Sequence, residues 1–331
     1  MKKNEREVLV TGGAGYVGSV LVGMLLDKGY RVRVLDSLLF GIRGIEQYLN
    51  NERFRLIRGD IRHIKDLVDA VKGTYGIIHL AAIVGDPACS INYEATWTVN
   101  QEATKSLMEI ANHYRVRRLV FASSCSVYGA SKTIILNEGS NLNPLSHYAR
   151  TRVESEKIIL GRANKYMIAT IARLGTVYGF SERMRFDLVI NILTAKAVKE
   201  RTMIIYHPEA WRPFIHVRDA ARGFIELFEA PASKVRREIF NVGSNEQNYQ
   251  IRDLGEIIKK VIPESELKYE SIDDDRRNYR VSFDKIKYIL DYNTEYRVED
   301  GVDEIKDKLL NNYIKNYKDD IYYNVKYREY Q

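Results

Sequence analysis

The 331-residue chain contains only two cysteines, Cys89 and Cys125, and six histidines. Two cysteines cannot build a disulfide framework or a paired-cysteine metal motif, and reduced thiols are typical of the cytosol. The histidines show no HExxH or comparable ligand spacing. We therefore predict a cytoplasmic protein without a metal site.

Long hydrophobic runs are also scarce. The longest apolar stretch, residues 8–26, follows Lys2, Lys3 and Arg6 as the core of a signal sequence would, but glycines interrupt it. No small-residue cleavage site follows it clearly, so we interpret the stretch as a buried strand, turn and helix. Because no other segment approaches membrane-spanning length, we expect no membrane insertion.

A concentrated basic region is missing too. The formal charge is +7, but the 51 Lys and Arg residues are spread along the chain among 44 Asp and Glu residues. Dense basic blocks and RNA-binding signatures, which mark nucleic-acid-binding proteins, do not occur. We expect no nucleic-acid partner, and the positive balance suits a small anionic substrate such as a diphosphate.

Short β-branched runs alternate with amphipathic stretches, which is the pattern of a parallel sheet covered by helices. Predicted strands lie at 7–11, 31–35, 54–58, 76–80, 118–123 and 168–174. Predicted helices lie between them at 15–28, 64–72, 96–114 and 146–163. This order indicates an α/β fold with a Rossmann-type doubly wound parallel sheet, and we assign residues 1–175 to a dinucleotide-binding domain.

Beyond residue 175 the alternation loosens, and we predict a smaller C-terminal α/β substrate-binding lobe over residues 176–331. It contains a helix at 186–199 and strands at 203–206 and 238–242, while a helix at 217–229 is expected to pack back on the first domain. The last twenty residues, 312–331, carry six tyrosines among charged side chains. A solvated surface segment is the favoured interpretation of this tail, with a dimer contact and disorder as alternatives.

The first predicted strand runs into a glycine-rich turn, Thr11-Gly12-Gly13-Ala14-Gly15-Tyr16-Val17-Gly18. Glycines in this turn let the backbone approach a pyrophosphate at the helix N-terminus, and Gly18 allows close helix–sheet packing. The next strand ends in a carboxylate, which accepts hydrogen bonds from the adenosine ribose hydroxyls and repels a 2′-phosphate. These features predict NAD as the cofactor, bound at Gly12, Gly15, Tyr16, Val17 and Asp36.

Two shorter segments extend the predicted NAD site. An Asp after the third strand can reach the adenine amino group, and small residues after the fourth strand let the chain approach the cofactor. These segments contribute Asp60, Ile61, Leu80, Ala81 and Ala82. Positive charge near the second strand keeps NADP open as a minor alternative, through Arg33 and Arg43.

Hydride transfer from an alcohol to a nicotinamide requires a base for the hydroxyl proton. Tyr148 is the candidate, and its ordinary pKa of about 10 requires neighbouring positive charge. Arg152 lies one helical turn later on the same face and can provide that charge. Ser124, at the end of the fifth predicted strand, is expected to hydrogen-bond the reacting oxygen. A nucleophilic Cys125 activated by His147 is a minor alternative.

The chain resembles the extended short-chain dehydrogenases/reductases, specifically the NAD-dependent nucleotide-sugar epimerases and dehydratases that are similar to UDP-glucose 4-epimerase. The resemblance extends to about residue 310. It rests on the glycine-rich turn, Asp36, the Ser-x-x-Val-Tyr-Gly run that begins at Ser124, Tyr148, and the runs at 173–179, 211–219 and 240–243.

The resemblance implies a nucleotide-diphosphate sugar as substrate and a homodimer formed through the helices at 96–114 and 146–163. It implies that Ser124, Tyr148 and Arg152 are catalytic, that Tyr148 and Arg152 also bind the cofactor, and that Asn100 is a structural residue of the cofactor site. The substrate would contact Ser124, Thr176, Arg212 and Arg277, with the two arginines on its diphosphate.

Two positions depart from the family pattern. Arg152 replaces the lysine of Tyr-x-x-x-Lys; it keeps the charge but cannot release a proton, which predicts slow catalysis. Cys125 and Ser126 replace the Asp-Glu pair that dehydratases carry after the catalytic hydroxyl residue. Because removal of water across the sugar ring needs an acid and a base there, 4,6-dehydration is disfavoured.

The sequence therefore predicts a nucleotide-sugar 4-epimerase that acts through a transient 4-keto intermediate. One alternative is a 4-dehydrogenase or reductase that releases a keto sugar, because the segments at 79–87 and 181–188 resemble a branch that includes such enzymes. A second alternative is a catalytically impaired NAD or nucleotide-sugar binding protein, suggested by Arg152.

Overall fold

The structure, a computed structural model, describes residues 5–270 and 277–326. Its strands are β1 (Glu7–Thr11), β2 (Arg31–Asp36), β3 (Phe54–Arg58), β4 (Gly76–His79), β5 (Arg118–Ser124), β6 (Ala130–Leu136), β7 (Ile168–Leu174), β8 (Thr176–Tyr178), β9 (Thr202–Tyr206), β10 (Trp211–His216), β11 (Glu238–Val242), β12 (Asn248–Gln250), β13 (Glu266–Glu270) and β14 (Asn278–Val281). Its α-helices are α1 (Tyr16–Asp27), α2 (Ile64–Val71), α3 (Asp86–Ile91), α4 (Tyr93–Trp97), α5 (Ala103–His113), α6 (His147–Arg162), α7 (Val189–Glu200), α8 (Val217–Glu229), α9 (Ala232–Val235), α10 (Ile251–Val261), α11 (Asp284–Leu290) and α12 (Val298–Leu310).

The central sheet has seven parallel strands in the order β11-β7-β5-β4-β1-β2-β3. The strand order reverses between β1 and β4, and this reversal opens a crevice at the carboxyl ends of the strands, where Rossmann-type sheets bind ligands. The predicted α/β fold with a Rossmann-type sheet is confirmed.

One strand of this sheet lies outside its predicted domain. We predicted 238–242 as part of the C-terminal lobe, but β11 pairs in parallel with β7 and forms an edge of the central sheet. The short apolar pattern of 238–242 predicts a strand but not the sheet to which it belongs, because its partner β7 is distant in sequence. The first domain therefore takes in a segment beyond residue 175.

Alternation along the strands gives the sheet two apolar faces. Val8 and Val10 contribute to one core cluster, which also contains side chains of α1 and α8, whereas Leu9 contributes to the opposite cluster with α2, α5 and α6. The segment 217–229, which we expected to return to the first domain, is α8 and shares this core with α1.

The remaining elements form the C-terminal lobe. Helices α7, α10 and α12 share an apolar cluster with the parallel pair β9–β13. Beside them, β8, β10 and β12 form a small sheet. Because β8 follows β7 after a single glycine, Thr176 begins the lobe close to the carboxyl edge of the central sheet. Among the described residues, no helix is both long enough and apolar enough to cross a membrane.

The C-terminal segment corrects another prediction. Residues 313–325, here called the C-terminal strap, are not a solvated tail, because Ile314, Tyr317 and Tyr322 are buried. They pack in one cluster with Phe186 and with Leu309 of α12. The charged residues between them make the segment look polar in the sequence, and Phe186 is too distant in the chain to be recognised as a partner. The last predicted tail residues, 327–331, lie outside the described part of the chain.

Candidate active site

The glycine-rich turn joins β1 to α1 in the conformation that only glycine accommodates well. Gly12 has a φ of +73°, and a Cβ atom there would lie 2.8 Å from the backbone of Ala81. A Cβ atom on Gly18 would lie 2.2 Å from the carbonyl oxygen of Gly12. Helix α1 follows with Gly15 as N-cap and no acidic residue in its first turn. Its N-terminal amides therefore face the crevice without a competing carboxylate, as a bound pyrophosphate requires.

Asp36 ends β2 beside this turn. Its carboxylate accepts hydrogen bonds from the backbone N–H of Ala14 at 2.9 Å and of Leu38 at 2.8 Å. Burial raises the pKa of Asp36, while these two hydrogen bonds and the positive charge of Arg183 oppose that rise. The carboxylate is thus fixed by the backbone at the point where an adenosine ribose would approach it.

The two arginines that suggested NADP have other partners. Arg33 is buried on β2, where its guanidinium donates to the carbonyl oxygens of Ala70 and Lys72 and pairs with Glu7. Arg43 donates to the Tyr313 carbonyl at 3.5 Å. The Arg33 guanidinium is therefore occupied by the carbonyl groups at the C-terminal end of α2. It is not directed at a ribose 2′-phosphate, so the main argument for NADP is lost.

A cleft of about 580 Å³ runs along the carboxyl edge of the central sheet and into the C-terminal lobe. This volume is within the range of small-molecule sites. The predicted cofactor residues on the cleft wall are Gly12, Gly15, Tyr16, Val17, Asp36, Asp60, Ile61, Leu80, Ala81 and Ala82. The predicted catalytic and substrate residues on the same wall are Ser124, Tyr148, Arg152, Thr176, Arg212 and Arg277.

Asn100 differs from the other predicted residues because it lies behind the cleft wall and is buried. It sits in a π-helical turn, Thr98–Glu102, which divides the predicted helix at 96–114 into α4 and α5. Its side chain bonds both backbone groups of Ile83, at 2.8 and 3.0 Å, and donates to Thr151 at 3.2 Å. Asn100 thus ties the loop after β4 to the helix that carries Tyr148.

Tyr148 and Arg152 lie one turn apart on α6, with the guanidinium carbon 5.3 Å from the centre of the tyrosine ring. Arg152 is 2% exposed and donates through Nη1 to the Ala122 carbonyl at 3.3 Å. Its Nε and Nη2 atoms have no hydrogen-bond partner among the described residues. Unpartnered buried donors on the wall of a cleft are expected where a polar ligand completes the site. A nicotinamide ribose fits this requirement.

Two features of its surroundings shift the pKa of the Tyr148 hydroxyl in opposite directions. Burial raises the pKa of Tyr148, and the positive charge of Arg152 opposes that rise. Ser124 ends β5 on the same cleft, and its Oγ accepts the backbone N–H of Ser126 at 3.2 Å. The Ser124 hydroxyl hydrogen is therefore available to a substrate oxygen.

A buried ion pair supports this catalytic edge. Glu156, two turns after Tyr148 on α6, bonds Arg173 of β7 through two contacts of 2.9 and 2.7 Å. Ser123, next to Ser124, donates to the same carboxylate at 2.5 Å. The pair thus joins α6, β5 and β7. The sequence analysis did not identify Glu156, because a lone glutamate on a helix carries no motif.

Cys125 is not a nucleophile in this arrangement. It is buried, its thiol donates to the Arg173 carbonyl at 3.4 Å, and burial strongly raises its pKa. The ring of His147 instead packs edge-on against Tyr93, with ring centres 4.7 Å apart. The alternative of a Cys125–His147 pair is therefore wrong.

The substrate end of the cleft is rich in arginine. Arg277 pairs with Asp86 at 2.7 Å, and Asp86 also accepts a hydrogen bond from Ser146, the N-cap of α6, at 2.5 Å. Arg212 of β10 is mostly buried and lies 5.5 Å from the ring centre of Tyr279. Asp86 therefore links the predicted diphosphate site to the start of the catalytic helix.

Several further residues on the cleft wall were not assigned from the sequence. Among the polar ones are Asp86, Arg183, Arg185 and Asn324. The two arginines lie in a loop before α7, within the segment 181–188, which was compared with 4-dehydrogenases but was not assigned to the site from the sequence. No signal could have pointed to Asn324, because it reaches the cleft from the far end of the chain.

Comparisons with known proteins agree with this geometry. Residues 8–243 match the NAD dependent epimerase/dehydratase family. The UDP-glucose 4-epimerase of Corynebacterium glutamicum is 27% identical over 271 residues, which are 77% of this chain and 80% of that protein. MoeE5 in complex with UDP-glucose and NAD has a TM-score of 0.80 at 26% identity, over 93% of this chain and 99% of that one. DesIV of Streptomyces venezuelae, a dTDP-glucose 4,6-dehydratase with NAD bound, has a TM-score of 0.82 at 25% identity, over 92% and 97%.

The two matched structures contain NAD, whereas the names of the matched proteins refer to different reactions. An epimerase and a dehydratase match at similar identity. The comparison therefore identifies the enzyme class and its NAD cofactor, but it does not distinguish epimerisation from dehydration. The predicted resemblance is confirmed over more than half of the chain. This chain belongs to the NAD-dependent epimerase/dehydratase family.

Proposed function

We propose that this protein is a nucleotide-sugar 4-epimerase that acts through a transient 4-keto intermediate. The observation that carries the proposal is the meeting of Tyr148, Arg152 and Ser124 on one cleft with the NAD turn. A buried thiol and a serine, Cys125 and Ser126, follow Ser124 at the positions where a dehydratase has its acid pair. Oxidation and reduction at one sugar carbon need only a base, a hydrogen-bond donor and a hydride carrier.

Each residue has a defined part in this chemistry. Tyr148 takes the proton of the sugar 4-hydroxyl, and Ser124 donates a hydrogen bond to the same oxygen as its carbonyl forms. Arg152 favours the deprotonated Tyr148 through its fixed charge. NAD held by the glycine turn and Asp36 would supply the hydride acceptor for carbon 4 and the donor for its later reduction. When the hydride returns to the opposite face of the sugar, Tyr148 gives the proton back and the 4-epimer forms.

The proposed substrate site lies toward the C-terminal lobe. Arg212 and Arg277 would bind the diphosphate, because planar guanidinium groups match phosphate oxygens. Thr176 lies on β8 between the central sheet and the lobe and would contact the sugar. Asp86 pairs with Arg277, so a diphosphate would have to compete with this carboxylate.

Proton NMR of the full chain with NAD and a panel of UDP-, GDP-, CDP- and dTDP-hexoses tests the proposal. We expect one sugar to be converted to its 4-epimer without net reduction of NAD, and no conversion by Tyr148→Phe. A keto sugar that accumulates with NADH would overturn the epimerase in favour of a 4-dehydrogenase. If the panel remains unchanged although NAD is bound, the protein is a catalytically impaired binding protein, as Arg152 first suggested.

A further inference from the structure

The C-terminal strap reaches the NAD cleft, although it is the last described part of the chain. The Tyr322 carbonyl accepts a hydrogen bond from the Phe186 backbone N–H at 3.0 Å. The Tyr322 hydroxyl lies 3.5 Å from Arg43 in the segment that follows β2. These contacts bring Asn324, two residues further along the strap, to the cleft wall.

Asn324 bridges two loops that line the cleft. Its Oδ1 accepts a hydrogen bond from Arg183 Nη2 at 2.6 Å, and its Nδ2 donates to the Val84 carbonyl at 3.2 Å. Its backbone N–H donates to Asp187 at 3.4 Å. The side chain is 4% exposed and forms part of the cleft wall. A single amide therefore connects the loop before α7 to the loop after β4.

Arg183, which Asn324 binds, and Val325, which follows Asn324, pack against different residues of the cleft wall. Arg183 stacks on Phe40 with 3.8 Å between the guanidinium carbon and the ring centre, and its charge acts on Asp36 at the ribose end. Val325 packs in the cluster that contains Ile83 and Tyr148, at the catalytic end. The strap therefore contributes Asn324 to the cleft wall, and Asn324 holds Arg183, whose charge acts on Asp36 at the ribose end.

We infer that Asn324 and Arg183 retain NAD, with the C-terminal strap as the outer wall of the cofactor site. Release of the dinucleotide then requires the Asn324 bridge to Arg183 and Val84 to open. Retention suits a reaction that returns its hydride to the same sugar, because the cofactor ends each turnover in its starting state. The inference rests on the NAD site and not on the identity of the sugar.

The dissociation rate of NAD tests this inference. The full chain is loaded with radiolabelled NAD, chased with excess unlabelled NAD, and sampled by rapid filtration. Asn324→Ala should release NAD roughly tenfold faster, because it removes one charge-assisted and one neutral hydrogen bond. Asn316→Ala is the matched control, since Asn316 is exposed on the same strap and, among the described residues, bonds Lys318 and Asp319.

A second variant removes the bridge completely. A chain that ends at Asp319 lacks Tyr322, Asn324 and Val325, and it should release NAD faster than Asn324→Ala. The thermal midpoint of the NAD-free protein is measured for Asn324→Ala and Asn316→Ala, so that any loss of stability is separated from the loss of NAD retention. Release at the wild-type rate by both Asn324→Ala and the shortened chain would overturn the inference. That result would leave the proposed epimerase activity intact, since the activity is measured on the sugar.

Discussion

Two walls of the NAD cleft are built in different ways. The wall on the side of the central sheet, here called the Rossmann wall, consists of the glycine turn at 12–18, Asp36, the segment at 80–82, Ser124 and Tyr148. The opposite wall, here called the C-terminal wall, consists of Arg183, Arg185, Arg212, Arg277 and Asn324. The backbone shapes much of the first wall, as the close approach of Gly12 to Ala81 shows. The second wall consists of side chains from separate loops and strands. Local backbone geometry leaves a motif in the sequence. Of the second wall, Arg212 and Arg277 were assigned through the family resemblance, whereas Arg183, Arg185 and Asn324 were not assigned to the site.

The largest effect is expected on the Rossmann wall, at Tyr148. Tyr148→Phe removes the phenolic oxygen that we propose takes the sugar proton, so kcat should fall by about 10²–10⁴-fold while NAD remains bound. Product formation followed by NMR measures the loss. Tyr288→Phe is the control, because Tyr288 is 78% exposed. Near wild-type turnover by Tyr148→Phe would mean that another group is the base.

The next effect concerns the support behind the same wall. Glu156→Ala leaves the charge of Arg173 buried without its partner, so the free energy of unfolding should fall by about 3–5 kcal/mol. Denaturant unfolding measures the change. Glu154→Ala on the exposed face of α6 should stay within about 0.5 kcal/mol of the wild type. Equal stability of the two variants would show that the ion pair does not hold this wall together.

A smaller effect is expected on the C-terminal wall. Arg277→Ala removes a charged donor to the diphosphate, so KM for the nucleotide sugar should rise roughly tenfold with little change in kcat. Steady-state kinetics separate the two constants. Arg201→Ala is the control, because the Arg201 side chain is 63% exposed and pairs with Glu264. A fall in kcat without a change in KM would place Arg277 in the chemistry and not in binding.

The smallest effect is a shift of the pH profile. Tyr148 works as a base only when it is deprotonated, and the charge of Arg152 lowers its pKa against the effect of burial. Arg152→Ala should therefore raise the pKa of Tyr148 and move the rising limb of kcat to higher pH. Arg152→Lys keeps the charge and should leave the limb near its wild-type position. Coincident limbs for the alanine variant and the wild type would exclude this electrostatic role.

The contrast between the walls explains how far the sequence predicted the structure. The strands that carry the Rossmann wall lie within a residue of their predicted bounds, because alternation and glycine spacing are local signals. The strand β11 was assigned to the wrong lobe, since a parallel pair with β7 depends on packing between distant segments. The same reason applies to the strap, where Tyr322 and Asn324 bind groups far away in the chain.

The central claim is that carbon 4 loses and regains the same hydride within one closed site. The most direct measurement uses the converted sugar labelled with deuterium at carbon 4, followed by NMR and by absorbance of NADH. The account predicts that the 4-epimer keeps deuterium at carbon 4 and that no NADH accumulates. Loss of the label from the sugar together with free deuterated NADH would contradict the account.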